Sequence, residues 1–171
     1  MANEPFAMVV APGQVYLAPV GTAFPNIDQP PSGAWGLLGT LGNKNHSEAG
    51  IKILHEQKTT EHFVSGSTGP QKATRQQERL VISGELEDLT LEQYTKLMAG
   101  MAVFDSPAAA GVAGYRKINT RMGMDVAEFA LLVRGASPYA SGMTIDCQVP
   151  RVYQSANPSP VLSKAGPAML T

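Results

Sequence analysis

One cysteine, Cys147, stands in 171 residues, so the chain cannot close a disulfide on itself. A fold held by its own core is required, and the sequence suits a reducing compartment. Cys147 lies in an alternating apolar run, where a cysteine serves as a small core residue. Charge of one sign is also missing. There are 13 basic and 14 acidic residues, spread along the chain, with no clustered Lys and Arg of the kind that releases counterions from nucleic acid or an anionic membrane. No run approaches the roughly 20 apolar residues of a membrane helix. The first residues lack the basic start of a secretion signal, so a soluble protein made in the cytoplasm is expected.

Signatures of chemistry are absent as well. His55-Glu56 begins like a zinc helix motif, but Thr59 stands where the second histidine belongs. Of the three histidines, His55 and His62 are seven apart on an expected strand, and His46 is separate. No nucleophile elbow, phosphate-binding lysine loop or dinucleotide fingerprint occurs. Glu85, Glu87 and Asp88 read as a solvated strand end leading into a helix N-terminus, where acidic side chains favour the dipole. No cofactor, metal or catalytic residue is expected.

What the chain does have is 17 glycines and 13 prolines, which break it into short segments joined by turns. With 43% hydrophobic residues it can bury a core of ordinary size for one domain, about 70% of its unfolded surface. A mainly β architecture follows. Residues 9–19 hold the strand candidate V-Y-L-A, closed by Pro19. Residues 21–34 carry Pro25, Pro30 and Pro31 and read as a long loop. W-G-L-L-G-T-L-G, from Trp35 to Gly42, predicts turns or a short edge segment that packs the single tryptophan on the core.

Residues 51–64 and 73–87 form a long hairpin around V-S-G-S-T-G-P-Q-K, which contains the turn residues Gly66, Gly69 and Pro70. In its second arm Leu80, Ile82 and Leu86 fall on one face, while Arg79, Val81, Ser83, Glu85 and Glu87 fall mainly on the other. One helix is expected at about residues 90–99. Thr90 and Gln93 are spaced as a capping box, Leu89 and Tyr94 as a staple, and Gly100 as a stop. Leu91, Tyr94, Leu97 and Met98 make its packing stripe. Residues 101–119 read as loop. Strands return at residues 126–134 and 144–153, and a connector around Ser137-Pro138 to Gly142 joins them. The last residues, A-M-L-T, resemble a strand cut short.

The order of these segments carries a resemblance. A long polar hairpin ending in G-E-L-E-D, followed at once by L-T-L-E-Q-Y-T-K-L-M, is similar to the major tail tube proteins of siphophages. Those proteins are in turn similar to myophage tube proteins and to the tube protein of type VI secretion. G-Q-V-Y-L-A-P-V-G at Gly13 to Gly21 and the W-G-L-L-G segment resemble the start of that family, so the likeness spans about residues 10–155.

The resemblance implies a single tail-tube domain over residues 1–171: a twisted β-sandwich or barrel with one flanking helix and a projecting hairpin at residues 51–87. An N-terminal arm (1–12) and a C-terminal arm (156–171) would flank it. Six copies would form a ring, and rings would stack into the tail tube of a virion around a tape measure protein, meeting tail tip and tail terminator proteins. DNA would pass through the lumen without specific binding, and no membrane partner is implied. Family members usually close with a further C-terminal strand, and here the chain stops at Thr171.

Strands of about 13 residues reach roughly 43 Å, whereas a domain of this length is near 40 Å across, so the hairpin must span the subunit or project from it. Its turn, Val64, Ser65, Gly66, Ser67, Thr68, Gly69, Pro70, Gln71 and Lys72, is the candidate contact between rings. Glu85 and Glu87 are candidates for a neutral to acidic lumen wall. Ring closure is expected to use strands 80–86 and 126–133, the latter for its lack of edge charge. Alternatives are another virion or secretion-tube component, such as a head–tail completion protein, or a carbohydrate-binding β-sandwich. The latter lacks an aromatic pair spaced for a sugar platform.

Overall fold

Phe129-Ala130-Leu131-Leu132-Val133 is apolar at every position, and a strand of that kind must be covered on both faces. The structure is a computed structural model. It describes residues 13–40, 45–87, 90–98, 103–118, 124–136, 144–156, 159–161 and 169–170. This apolar run lies in β7 (Glu128–Ala136), an inner strand of the first sheet. Its antiparallel neighbours are β1 (Gly13–Pro19) and β8 (Thr144–Tyr153), and β2 (Gly36–Leu37) joins the far side of β1.

The register pairs Val15 with Val133 and Leu17 with Leu131 on one face, and Tyr16 with Leu132 and Ala18 with Ala130 on the other. The first set packs with Leu38, Cys147, Ile51, Ile82 and Leu86, and with Tyr94 and Leu97 of the helix. The second set packs under Trp35 and Phe24. The proline-rich loop is therefore a lid on the outer face of the sheet. Trp35 is 7% exposed, donates its ring N–H to Ala23 O at 2.9 Å, and stacks obliquely on Phe24 with centroids 5.1 Å apart.

The second sheet has the order β3-β4-β10-β9. β3 (His46–His62) and β4 (Lys72–Leu86) are the hairpin, five residues longer at the start of β3 than the sequence pattern suggests. β9 (Pro160–Val161) and β10 (Met169–Leu170) pair with each other, and β10 meets β4 at Leu86 alone. The C-terminal segment is thus tied back to the hairpin's root at one pair, Leu170 with Leu86. Residues 1–12 and the 137–142 connector lie outside the described residues.

Helix α1 (Leu91–Leu97) is shorter than the expected 90–99, with Met98 as its C-cap. Thr90 Oγ1 accepts from Gln93 N at 3.2 Å, as the capping box requires. Gln93 itself is the buried residue of the helix, and its side-chain oxygen accepts from Gly39 N at 2.8 Å. The side chain expected to close the cap ties the helix to the Trp35 loop. Tyr94 and Leu97 reach the core, while Leu91 and Met98 are half-buried; Leu89 and Gly100 are outside the described residues.

Two expectations are corrected. The 101–119 stretch is not all loop: β5 (Val103–Ser106) and β6 (Tyr115–Ile118) form a small hairpin. Arg116 pairs with Asp105 across this hairpin and with Glu92 of the helix, which joins the two elements. More consequentially, β7 is not an edge strand. Both its sides are hydrogen-bonded, to β1 and β8, so the missing edge charge reflects burial and not a free edge. Ring closure through residues 126–133 is excluded by that pairing.

Candidate functional site: the projecting ribbon

The hairpin leaves the body within a few residues of its root. Ile51, Ile82 and Leu86 pack in the core, while Ile53 and Leu54 are already exposed. From the Ile53–Ile82 pair to the His62–Lys72 pair the two strands stay paired for nine further residues of β3, about 30 Å. One irregularity lies between Lys58 and Thr59. The arm is polar and exposed on both faces, so its backbone ladder holds it together. Its side-chain pairs add little. Arg75 and Glu78 (3.2 Å) and the His55–Glu78 approach (3.8 Å) are all more than half exposed, where such pairs contribute about 0–1 kcal/mol.

The turn is closed by Gln71 N donating to His62 O at 2.9 Å and Ser67 N donating to Val64 O at 3.2 Å. Gly66 adopts φ +96°, a conformation that favours glycine. Ser67 Oγ donates to Gly69 O at 3.0 Å. The predicted contact residues 64–72 therefore form an ordered, exposed tip, except that Lys72 already belongs to β4. Glu85 lies at the opposite end of β4 and Glu87 just past it. Glu85 is half-buried, and Glu87 is exposed with its amide donating to Asn45 O at 2.9 Å. Asp88 is outside the described residues.

His55 and His62 are about 23 Å apart along β3, too far to share an ion. No group of three potential metal ligands exists among the described residues. His46 lies at the ribbon's root, where the register shifts before Ile51, and neither of its ring nitrogens has a hydrogen-bond partner of normal geometry. Burial lowers its pKa from the ordinary histidine value, only partly offset by the nearby Glu85 backbone.

Three features escaped the sequence reading. An open cleft of about 390 Å³ runs between β4 and β8, lined largely by apolar side chains including Leu17, Leu80, Ile82, Leu131 and Val149. On the β5–β6 hairpin, Phe104 and Tyr115 share a face, with Lys117 Nζ 5.7 Å from both ring centroids. Here is an aromatic pair that linear spacing hid, but a cation stands over both rings where a sugar would stack. The third is Arg134, which is 8% exposed and ion-paired to Asp146. Only the alternation of β7 and β8 hinted at that pair, by placing Arg134 in a buried strand.

No helix among the described residues is long and apolar enough to cross a membrane. Comparison with protein-family models, curated proteins and solved structures finds no match.

Proposed function

We propose that this chain is a structural building block that polymerises, the major tail tube subunit of a long-tailed bacteriophage, and not an enzyme. Six copies form a ring, rings stack around a tape measure protein, and the finished tube in the virion tail conducts DNA. Tail tip and tail terminator proteins bound it at either end. The observation that carries the reading is the ribbon: an arm of about 30 Å that touches its own subunit's core only at its root, through Ile82, and is polar on both faces from Glu56 outward to His62. An element of that size needs a reason outside the subunit.

The segment order across residues 51–100 supports the same reading, as does a net charge of −1, which favours close packing of copies over binding to a polyanion. With β7 interior, ring closure falls to strand edges that have no partner among the described residues, such as the outer side of β3, and to the expected 80–86 strand, whose far side is met only at Leu86, by β10. In this proposal Glu85 and Glu87 face the lumen, where a neutral to acidic wall avoids holding phosphates.

Electron microscopy of the purified protein over a concentration series tests it. Rings or tubes are expected at high concentration, with monomers in sedimentation at low concentration. A tight two-fold dimer at micromolar concentration, or single particles throughout, would overturn the reading.

A further inference from the structure

Outward of the apolar root at Ile53, Leu54 and Leu80 to Ile82 the ribbon is polar, yet its tip begins with two apolar side chains, Phe63 at 60% exposure and Val64 at 48%. Two adjacent apolar side chains at the far end of an otherwise polar arm gain by being covered together, by about the apolar area each loses to water. The complementary feature lies at the ribbon's root. The β4–β8 cleft has an apolar floor that includes Leu17, Leu97 and Leu131. Residues 79–83 of β4 and 151–153 of β8 line it consecutively and not alternately, so both strands turn an edge toward it, and residues 154–156 continue its wall. Neither edge has a ladder partner at that place among the described residues, since β10 meets β4 only at Leu86 and β8 pairs only with β7. A short extended apolar segment entering there finds both a floor for its side chains and free backbone groups.

The tip cannot enter its own cleft. Leu80 lines the cleft and pairs with His55, and from His55 the hydrogen-bonded ribbon runs seven residues outward to His62, about 23 Å. A tip reaches a cleft only on another copy. Charge agrees with that meeting. Glu61, two residues before Phe63, is exposed and has no ion pair among the described residues. At the cleft, Arg79 Nη2 donates to a hydroxyl, Ser155 Oγ, at 3.1 Å, and Arg79 has no ion pair among the described residues.

We infer that Phe63 and Val64 of one copy seat in the β4–β8 cleft of the next, with Glu61 brought toward Arg79. The inference rests on the self-assembly reading above and assigns its axial contact. Donor and receptor are different surfaces of one chain, so each copy keeps one free tip and one free cleft, and the contact propagates.

Two variants test it by sedimentation and electron microscopy. Phe63→Asp alters the tip. Tyr153→Glu alters the cleft wall at a side chain that is 59% exposed, where folding tolerates the change. Each is expected to keep the unmodified circular dichroism and thermal transition, and to raise the concentration at which polymer forms by more than about tenfold. Rings assembled separately from each variant and then mixed should pair into two-ring stacks that grow no further, because such a pair retains one intact set of tips and one intact set of clefts. Polymer from Phe63→Asp at the unmodified concentration would overturn the tip–cleft contact while leaving tube assembly standing. Two defective variants that fail to pair would also overturn it. If the unmodified protein never associates, both this contact and the proposed function fall.

Discussion

Arg134 and Asp146 form a two-pronged ion pair across β7 and β8, with Nε to Oδ1 at 2.7 Å and Nη2 to Oδ2 at 2.6 Å. Both side chains are under 10% exposed. The same guanidinium donates to the backbone oxygens of Asn26, at 3.1 Å, and Gln29. Thr144 Oγ1 donates to Ile27 O at 2.7 Å beside it. Three carbonyls of a proline-rich loop that has few partners of its own are thereby fixed over the sheet. The pair is the clasp of the Trp35 lid.

Removing one partner should be costly, because it strands a buried charge. Asp146→Ala is expected to destabilise the fold by about 3–5 kcal/mol, and replacing both residues with apolar ones of similar volume by much less. Urea unfolding with tryptophan fluorescence checks this. Trp35 also reports the lid directly, so an early fluorescence change in Asp146→Ala would show the loop detaching first.

Gly39 tests the tie between the lid and the helix. Its φ is +97°, its N–H donates to Gln93, and an added Cβ would stand 2.2 Å from Asn45 Cγ, inside any real contact. Gly39→Ala should therefore destabilise more than Gln93→Leu, for which losing a buried acceptor costs about 1–3 kcal/mol. Equal losses in chemical denaturation would count against that packing.

His46 gives the stability a pH dependence of known sign. Its folded pKa lies below the ordinary value of 6.5, so the unfolded chain binds the proton more readily. The contribution is complete above about pH 6.5 and is lost as pH falls through the folded value. Thermal unfolding from pH 8 to 5 should show the midpoint falling on the acid side, and His46→Phe should flatten that slope. An unchanged slope would show that other groups govern it.

Replacing residues 64–74 with a short Gly-Ser turn removes the tip and leaves Ile51, Ile82 and Leu86 in the core. The variant is expected to unfold at the unmodified temperature and to form rings that do not stack, as seen by electron microscopy. Normal tubes would show the arm to be dispensable.

Much of the β framework was legible because its signals are local. Alternation and turn residues placed the hairpin, β1, β7 and β8, and Thr90 with the apolar stripe placed the helix. A continuous apolar run such as residues 129–133, however, is ambiguous between a free edge and a doubly covered inner strand. Only the pairing partners decide, and β1 lies more than a hundred residues away. The same holds for the site. Composition and spacing could exclude familiar chemistry and locate a projecting polar arm. The cleft between β4 and β8, the Phe104–Lys117–Tyr115 face and the Arg134–Asp146 clasp each join residues that chain order keeps apart. The sequence by itself determined the long hairpin, β1, β7, β8 and the helix, though not the short β5–β6 hairpin, since the longer elements carry enough residues for backbone preference and periodicity to show. Tertiary structure alone decided which edges stay open and what surrounds each buried charge, because both depend on which distant segments share a face.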